Sequence, residues 1–142
     1  MAEGSTADLV RRCFAAYRAK DRAAMEQLIA KDFHFTSPYD DHIDRAAYFA
    51  RCWPNADKMR HFRELRLFEK GNEAFILYEA QFEGTGVFRN TEFFRTEGGQ
   101  IKEVEVYFGE PARTEKNKDR DENAWGAGGS AEGRPADHGG SP

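Results

Sequence analysis

Two places in this chain bring together residue types able to do chemistry. The first is Glu79, inside the alternating run 74–83, where every second side chain faces the same side of a strand. With Phe75, Leu77, Glu79 and Gln81 turned inward, the carboxylate sits among aromatic groups. It then loses hydration, and its pKa rises toward the range of a general base. A plainer reading of the same residue is a structural ion pair with Arg89 on the neighbouring strand. The second place is the cluster Asp40, Asp41, His42 and Asp44. An imidazole beside carboxylates suits an acid/base dyad or a carboxylate-rich metal site. Local structure also accounts for most of these groups, with Asp44 as a helix cap and Asp40 and Asp41 as turn residues. No metal is assigned. Tyr17, one helical turn beyond Cys13, can offer a phenol to the same interior or simply fill core.

The catalytic candidates are therefore Glu79 as base with Tyr17 or His42, beside Asp41, as donor. The expected substrate-binding wall is Phe14, Tyr39, Phe49, Trp53, Gln81, Arg89, Thr91, Phe93 and Val106. Cys13 and Cys52 fall on two different helices without metal-ligand spacing, and read as small buried hydrophobes. His34 and His61 have no partner legible in the sequence.

The elements that position these groups follow from periodicity. Ser5 or Thr6 caps a first helix, in which Leu9, Val10, Cys13, Phe14 and Tyr17 form one apolar stripe. Asp21 caps a short second helix carrying Met25, Leu28 and Ile29. Residues 32–36 read as a short strand that Pro38 ends. Asp44 caps a third helix over 45–53, which Pro54 and Asn55 stop. The period then falls to about two, with strands expected at 60–68, 74–83, 86–96 and 101–108, and Gly-rich hairpin turns between them. Three helices followed by a run of antiparallel strands predict an α+β domain with the helices on one sheet face.

A chain of 142 residues suits one domain, and its formal net charge of -4 favours neither nucleic acid nor an anionic membrane surface. The apolar runs are shorter than a membrane span, and residues 1–5 lack the apolar core of a signal peptide, so a cytoplasmic location is expected. Residues 110–142 contain no Val, Ile, Leu or Phe. They are expected to form a disordered tail behind a domain spanning 1–109, with Trp125 as its one large apolar group.

The ending Gly98-Gly99-Gln100-Ile101-Lys102-Glu103-Val104-Glu105-Val106-Tyr107-Phe108-Gly109 is similar to the last hairpin of ketosteroid isomerases and SnoaL-like proteins. Lys20-Asp21, Leu28 and Asp32-Phe33 resemble the stretch between helix two and strand one of the nuclear transport factor 2-like superfamily. The segment from Phe35 to Asp44 resembles a signature of an uncharacterised SnoaL-like subgroup. The resemblance implies a cone-shaped barrel of strongly curved, mostly antiparallel sheet wrapped around about three N-terminal helices, with a mostly apolar pocket at its open end. It implies a hydrophobic small-molecule ligand, no cofactor, and a homodimer formed through the outer sheet face. That face is expected to carry Ile76, Tyr78, Phe82, Phe88, Phe94, Ile101 and Tyr107.

The family's known catalytic sets do not carry over. Ser37 stands where steroid isomerases place their base, Cys13 where they place a tyrosine, and Thr91 where they place a protonated aspartate. Glu79, Gln81 and Val106 replace the carboxylate–arginine–carboxylate set of the limonene epoxide hydrolase-like branch, and Val106 also replaces the last-strand aspartate of the polyketide cyclases. What remains is a small-molecule pocket protein, either a cofactor-independent isomerase, cyclase or dehydratase or a non-catalytic binding or dimerisation module.

Overall fold

A computed structural model describes residues 5–111. Helix α1 (Thr6–Ala19) starts at Ser5, whose hydroxyl accepts from the Asp8 amide, and α2 (Arg22–Leu28) starts at Asp21, whose carboxylate accepts from Ala24. Strand β1 (Ile29–Ser37) and strand β2 (Asp40–Asp44) form a tight hairpin around Pro38. Asp44 then caps α3 (Arg45–Arg51) by accepting from the Ala47 amide. A 3₁₀ turn, Trp53–Lys58, takes Pro54 into its first turn, so the proline continues the chain's coil where the sequence predicts a stop. Strands β3 (Met59–Lys70), β4 (Glu73–Phe82), β5 (Phe88–Glu97) and β6 (Gln100–Pro111) complete the chain.

The six strands form one open sheet in the order β2-β1-β6-β5-β4-β3, parallel only between β1 and β6. Bulges interrupt the register in β1/β2, β1/β6, β3/β4 and β5/β6. Such bulges bend strands and let a sheet curve around what it covers. One face packs on α1, α2 and α3, and the core lies between them. The expected α+β cone is observed, as a curved sheet that does not close. Of the expected tail, Glu110 and Pro111 belong to β6, and the rest lies outside the described residues. Trp125 lies there too.

The facing of β4 and β5 is the reverse of the expected one. The buried rows are Ala74, Ile76, Tyr78, Ala80 and Phe82 on β4, and Phe88, Asn90, Glu92, Phe94 and Thr96 on β5. Phe75, Leu77, Glu79 and Gln81, with Arg89, Thr91 and Phe93, therefore point away from the helices. Strand β6 has the expected facing at Val104 and Val106, which are buried, whereas Ile101, expected outward, is buried too, at the point where the β5/β6 register shifts. Charge explains the choice. The outward row of β5 carries Arg89 and Arg95, and two guanidiniums cannot shed their charge on burial. The inward row carries one carboxyl, which can. On β4 the inward row contains no charged side chain at all.

Candidate functional site

The reversed facing replaces one candidate carboxyl with another. Glu92 is 2% exposed. Its cross-strand neighbour is Ile76, and the adjacent pair is Tyr78 with Asn90. The Tyr78 hydroxyl donates to Glu92 Oε2 at 2.5 Å, and Asn90 Nδ2 donates to the Tyr78 oxygen at 3.1 Å. The Gly109 amide in turn donates to Asn90 Oδ1 at 3.0 Å. The chain of donors thus runs from the β6 backbone to the carboxyl, and every link is buried or half-buried. Burial pushes the Glu92 carboxyl up to about 8, against the opposing pull of the Tyr78 hydrogen bond. Burial likewise raises the Tyr78 phenol well above its ordinary range.

Glu92 lines a cavity of about 10 Å³ between the sheet and the helices. Helix α1 contributes Cys13, Phe14 and Tyr17, and α2 and α3 contribute Met25 and Tyr48. The strands add Ile29, Phe33, Phe35, Phe94 and Val104, so Glu92 brings the one carboxyl to an aromatic and aliphatic shell. Every lining residue is buried. Cys13 also approaches the Met25 sulfur at 3.7 Å. Burial raises the Cys13 thiol, and pushes the Cys52 thiol up to about 12, which suits inert core cysteines.

The residues singled out from the sequence are dispersed. Phe14 and Tyr17 do line the cavity, and Val106 is buried in the core beside it. Trp53 meets the Tyr17 ring edge-on at 5.7 Å. Phe49 is buried against Trp53, with the Arg22 and Arg45 guanidiniums 4.6 and 5.1 Å from its ring centre. Tyr39 sits at the β1–β2 tip against Phe108.

Glu79 lies on the outer face, where it meets His61 Nε2 at 3.0 Å, Arg89 at 3.4 Å and Arg63 at 3.7 Å. Its carboxyl is held below its ordinary range, first by the His61 hydrogen bond, which outweighs the penalty of burial, and then by the charges of Arg63 and Arg89. The structural pairing with Arg89 is what the structure shows, and the expected rise in pKa is reversed. Gln81 donates to the Thr85 carbonyl at 3.1 Å, Thr91 lies opposite Tyr107, and Phe93 packs on Phe75 with ring centres 5.3 Å apart.

The acidic cluster also separates. Asp41 and His42 are exposed, and His42 adopts a left-handed backbone (φ 57°) with its ring stacked on His34 at 4.1 Å. Asp40 is buried, paired with Arg51 at 2.5 Å and accepting from the Ser37 hydroxyl at 3.0 Å. Among the described residues no group of three or more His, Cys, Asp or Glu is arranged to hold a metal. Glu92, Tyr78 and Asn90 are not among the residues the sequence places inside. The signal that could have found them is the uncharged even row of β4, which fixes the facing of β5 through their antiparallel pairing.

A curved six-stranded sheet over three helices is the fold of nuclear transport factor 2-like proteins. A protein of that kind with unknown function from Cytophaga hutchinsonii superposes with a TM-score of 0.60 at 24% identity, covering 73% of this chain and 89% of that one. A candidate ketosteroid isomerase from Kribbella flavida gives a TM-score of 0.62 at 19% identity, covering 76% and 84%. A de novo designed protein with a curved β-sheet gives 0.62 at 10% identity, covering 86% and 95%. At these identities the likeness is one of fold. No curated protein matches the chain. The family model of the SnoaL-like domain matches residues 10–104, and the chain belongs to that family. Among the described residues no helix is long and apolar enough to cross a membrane.

Proposed function

We propose that this chain is a small-molecule pocket protein that performs cofactor-independent acid/base chemistry on a hydrophobic substrate, with Glu92 as the proton-moving group. The reaction class is isomerisation, cyclisation or dehydration. One observation carries the reading: a carboxyl with a pKa of about 8 stands at the wall of an apolar cavity, held by Tyr78 and Asn90. A group with a pKa near the working pH both takes and returns a proton readily. Tyr17 and Tyr48, contributed by the helices, also line the cavity. Glu79, Asp41 and His42, which the fold keeps outside the cavity, take no part in this reading.

The test is a ligand screen of steroids, polyketide-like aromatics, terpenoids and acyl compounds by thermal denaturation. Ligand at one hundred times its dissociation constant adds about 2.7 kcal/mol of stability. For any ligand that is turned over, Glu92→Gln should lower kcat by roughly 10²- to 10⁴-fold, the usual worth of general acid–base catalysis. Unchanged kcat removes Glu92 from the chemistry.

A second reading, a binding or dimerisation module without catalysis, is favoured by cavity size. About 10 Å³ is far below the several hundred Å³ usual for drug-sized ligands. Ligands that bind without turnover, or stability that no ligand raises, would favour this module over the enzyme.

We also propose a homodimer through the outer sheet face, on different residues from those expected. Of the expected seven, Tyr107 faces outward and the other six are buried. The outward aromatics are Phe68, Phe75 and Tyr107, exposed to 70%, 49% and 55%, with Phe93 half-buried against Phe75. Phe68, Phe75 and Phe93 occupy adjacent cross-strand positions, so they form one continuous stripe. Sedimentation should show a dimer for the native chain and a monomer for Phe75→Ser combined with Tyr107→Ser. A native monomer at tens of micromolar would remove the dimer.

A further inference from the structure

The roomiest hollows of the molecule lie outside the interior between helices and sheet. The Glu92 cavity holds about 10 Å³, whereas a groove of about 460 Å³ runs between the C-terminal half of α1 and the first residues of β3. That volume is in the range of small-molecule sites. Strand β3 is the edge of the sheet, and among the described residues no strand covers it. Ala15 and Ala19 give the groove a low wall on α1, and the half-buried Met59 and Phe62 form its floor. A second hollow of about 210 Å³ continues it along α1, sharing Ala15, Arg18 and Phe62. The other wide hollow, about 490 Å³ between α1 and α2, is lined by Arg12 and Asp21, of opposite sign, and has no aromatic floor.

In the α1–β3 groove the charge has one sign. Arg18, Arg60 and His61 line it, and no Asp or Glu does. Arg60 meets Glu83 at 3.1 Å and His61 meets Glu79 at 3.0 Å, both carboxylates outside the lining. Arg18 has no such partner. Among the described residues its exposed guanidinium pairs with no carboxylate, and it lies 5.4 Å from the Phe62 ring centre. In the continuing hollow the one carboxylate, Glu64, is already held by two nitrogens of Arg11, at 3.1 and 2.9 Å. The C-terminal end of α1 offsets part of the Arg18 charge, and Arg60 keeps the groove cationic. A guanidinium fork above an aromatic floor suits an anionic head joined to an apolar body, the head taking paired N–H donors and the body covering Met59 and Phe62. Register shifts between Met59 and His61 and between Glu64 and Arg66 break the β3 edge, which favours a small molecule over an added peptide strand.

We propose that the groove between α1 and the β3 edge binds an amphipathic organic anion, with its head held by Arg18 and Arg60 and its apolar body on Met59 and Phe62. The site is separate from Glu92 and does not depend on that acid doing chemistry.

The test is an amide NMR titration of the full chain with octanoate, and with octanol and octylamine as uncharged and cationic probes of the same chain length. Octanoate should shift the amide signals of Ala15, Arg18, Ala19 and Phe62 to saturation, and the alcohol and the amine at equal concentration should not. Arg18→Gln changes an exposed side chain, so the fold should persist while octanoate binding weakens by about fivefold, the upper worth of an exposed ion pair. Added salt should weaken binding to the native chain in the same direction. Equal responses to octanoate and octanol, octanoate shifts confined to other parts of the chain, no saturable shift at all, or an unchanged affinity in Arg18→Gln would each overturn the proposal. None of these arms reads turnover, so their outcome is distinct from that of the acid/base chemistry proposed for Glu92.

Discussion

Glu92→Gln is expected to abolish a pH dependence of stability that the native chain shows between pH 4.5 and about 8. The ordinary carboxyl value is 4.5, and burial in the fold raises it to about 8. Between these values the folded chain keeps a proton on Glu92 that the unfolded chain has lost. The unfolded state then binds fewer protons, so stability falls as pH rises through the window and levels off above the folded value. Below 4.5 both states are protonated, and the native arrangement keeps its full stability. A tenfold difference in proton affinity between the two states is worth about 1.36 kcal/mol, so the loss across the window is on the order of a few kcal/mol. That is a large share of the roughly 5–15 kcal/mol that holds a typical domain together.

Glutamine reproduces the protonated state. Its amide oxygen can accept from Tyr78, and its NH₂ group takes the place of the Oε1 hydroxyl. The variant should match the native chain near pH 4.5 and exceed it by a few kcal/mol above pH 8. Urea denaturation at a series of pH values checks this. The difference between the two chains isolates Glu92 from Glu64, Glu79 and Asp32, whose lowered values act in the opposite direction at acid pH. Parallel curves for the two chains would mean that Glu92 ionises normally in the fold.

The second large effect is expected at Gly109. A Cβ built there would stand 2.0 Å from the Arg89 carbonyl oxygen and 3.1 Å from its carbon. Both are backbone atoms of the paired strand, so no side-chain rotation can relieve the contact. Gly109→Ala must push β6 away from β5 where the Gly109 amide holds Asn90. Overpacking costs about 1–3 kcal/mol, and the lost hydrogen bond about 1 more. The effect should also reach the site, because Asn90 orients Tyr78 and Tyr78 orients Glu92. Gly98→Ala is the control. Its Cβ meets nothing within 4 Å, and its φ of 61° leaves only the backbone cost of a left-handed alanine, about 1–2 kcal/mol. Equal losses for the two variants, read by denaturant midpoint, would remove the steric account of Gly109.

Much of the fold is legible in the sequence because its signals are local. The α1 stripe from Leu9 to Tyr17 is buried as its spacing predicts, and the Asp21 and Asp44 carboxylates accept the amide hydrogen bonds expected of caps. Strand β2 is hidden because Asp40, Asp41 and His42 have the composition of a turn, and the strand is a short polar edge held mainly through its pairing with β1. The facing of β4 and β5 escapes for a different reason. Both rows of β5 mix Phe with polar residues, so hydrophobicity alone does not choose between them. The choice lies in the cost of burying Arg89 and Arg95 against that of one Glu, and in the clean apolar row of β4. A one-position change of facing exchanges every side chain across the sheet, and with it Glu79 for Glu92. Tyr17 and Phe14 survive as cavity residues because they are read from a helix, whose stripe has only one way to face the core.

The most direct test is a carbon-13 NMR titration of the side-chain carboxyls, with the Glu92 signal assigned by its loss in Glu92→Gln. A midpoint near 8, with the Tyr78 ring signals moving over the same range, is the predicted result. A Glu92 midpoint near 4.5 would contradict it, and would leave the cavity without the neutral acid on which the proposed chemistry depends.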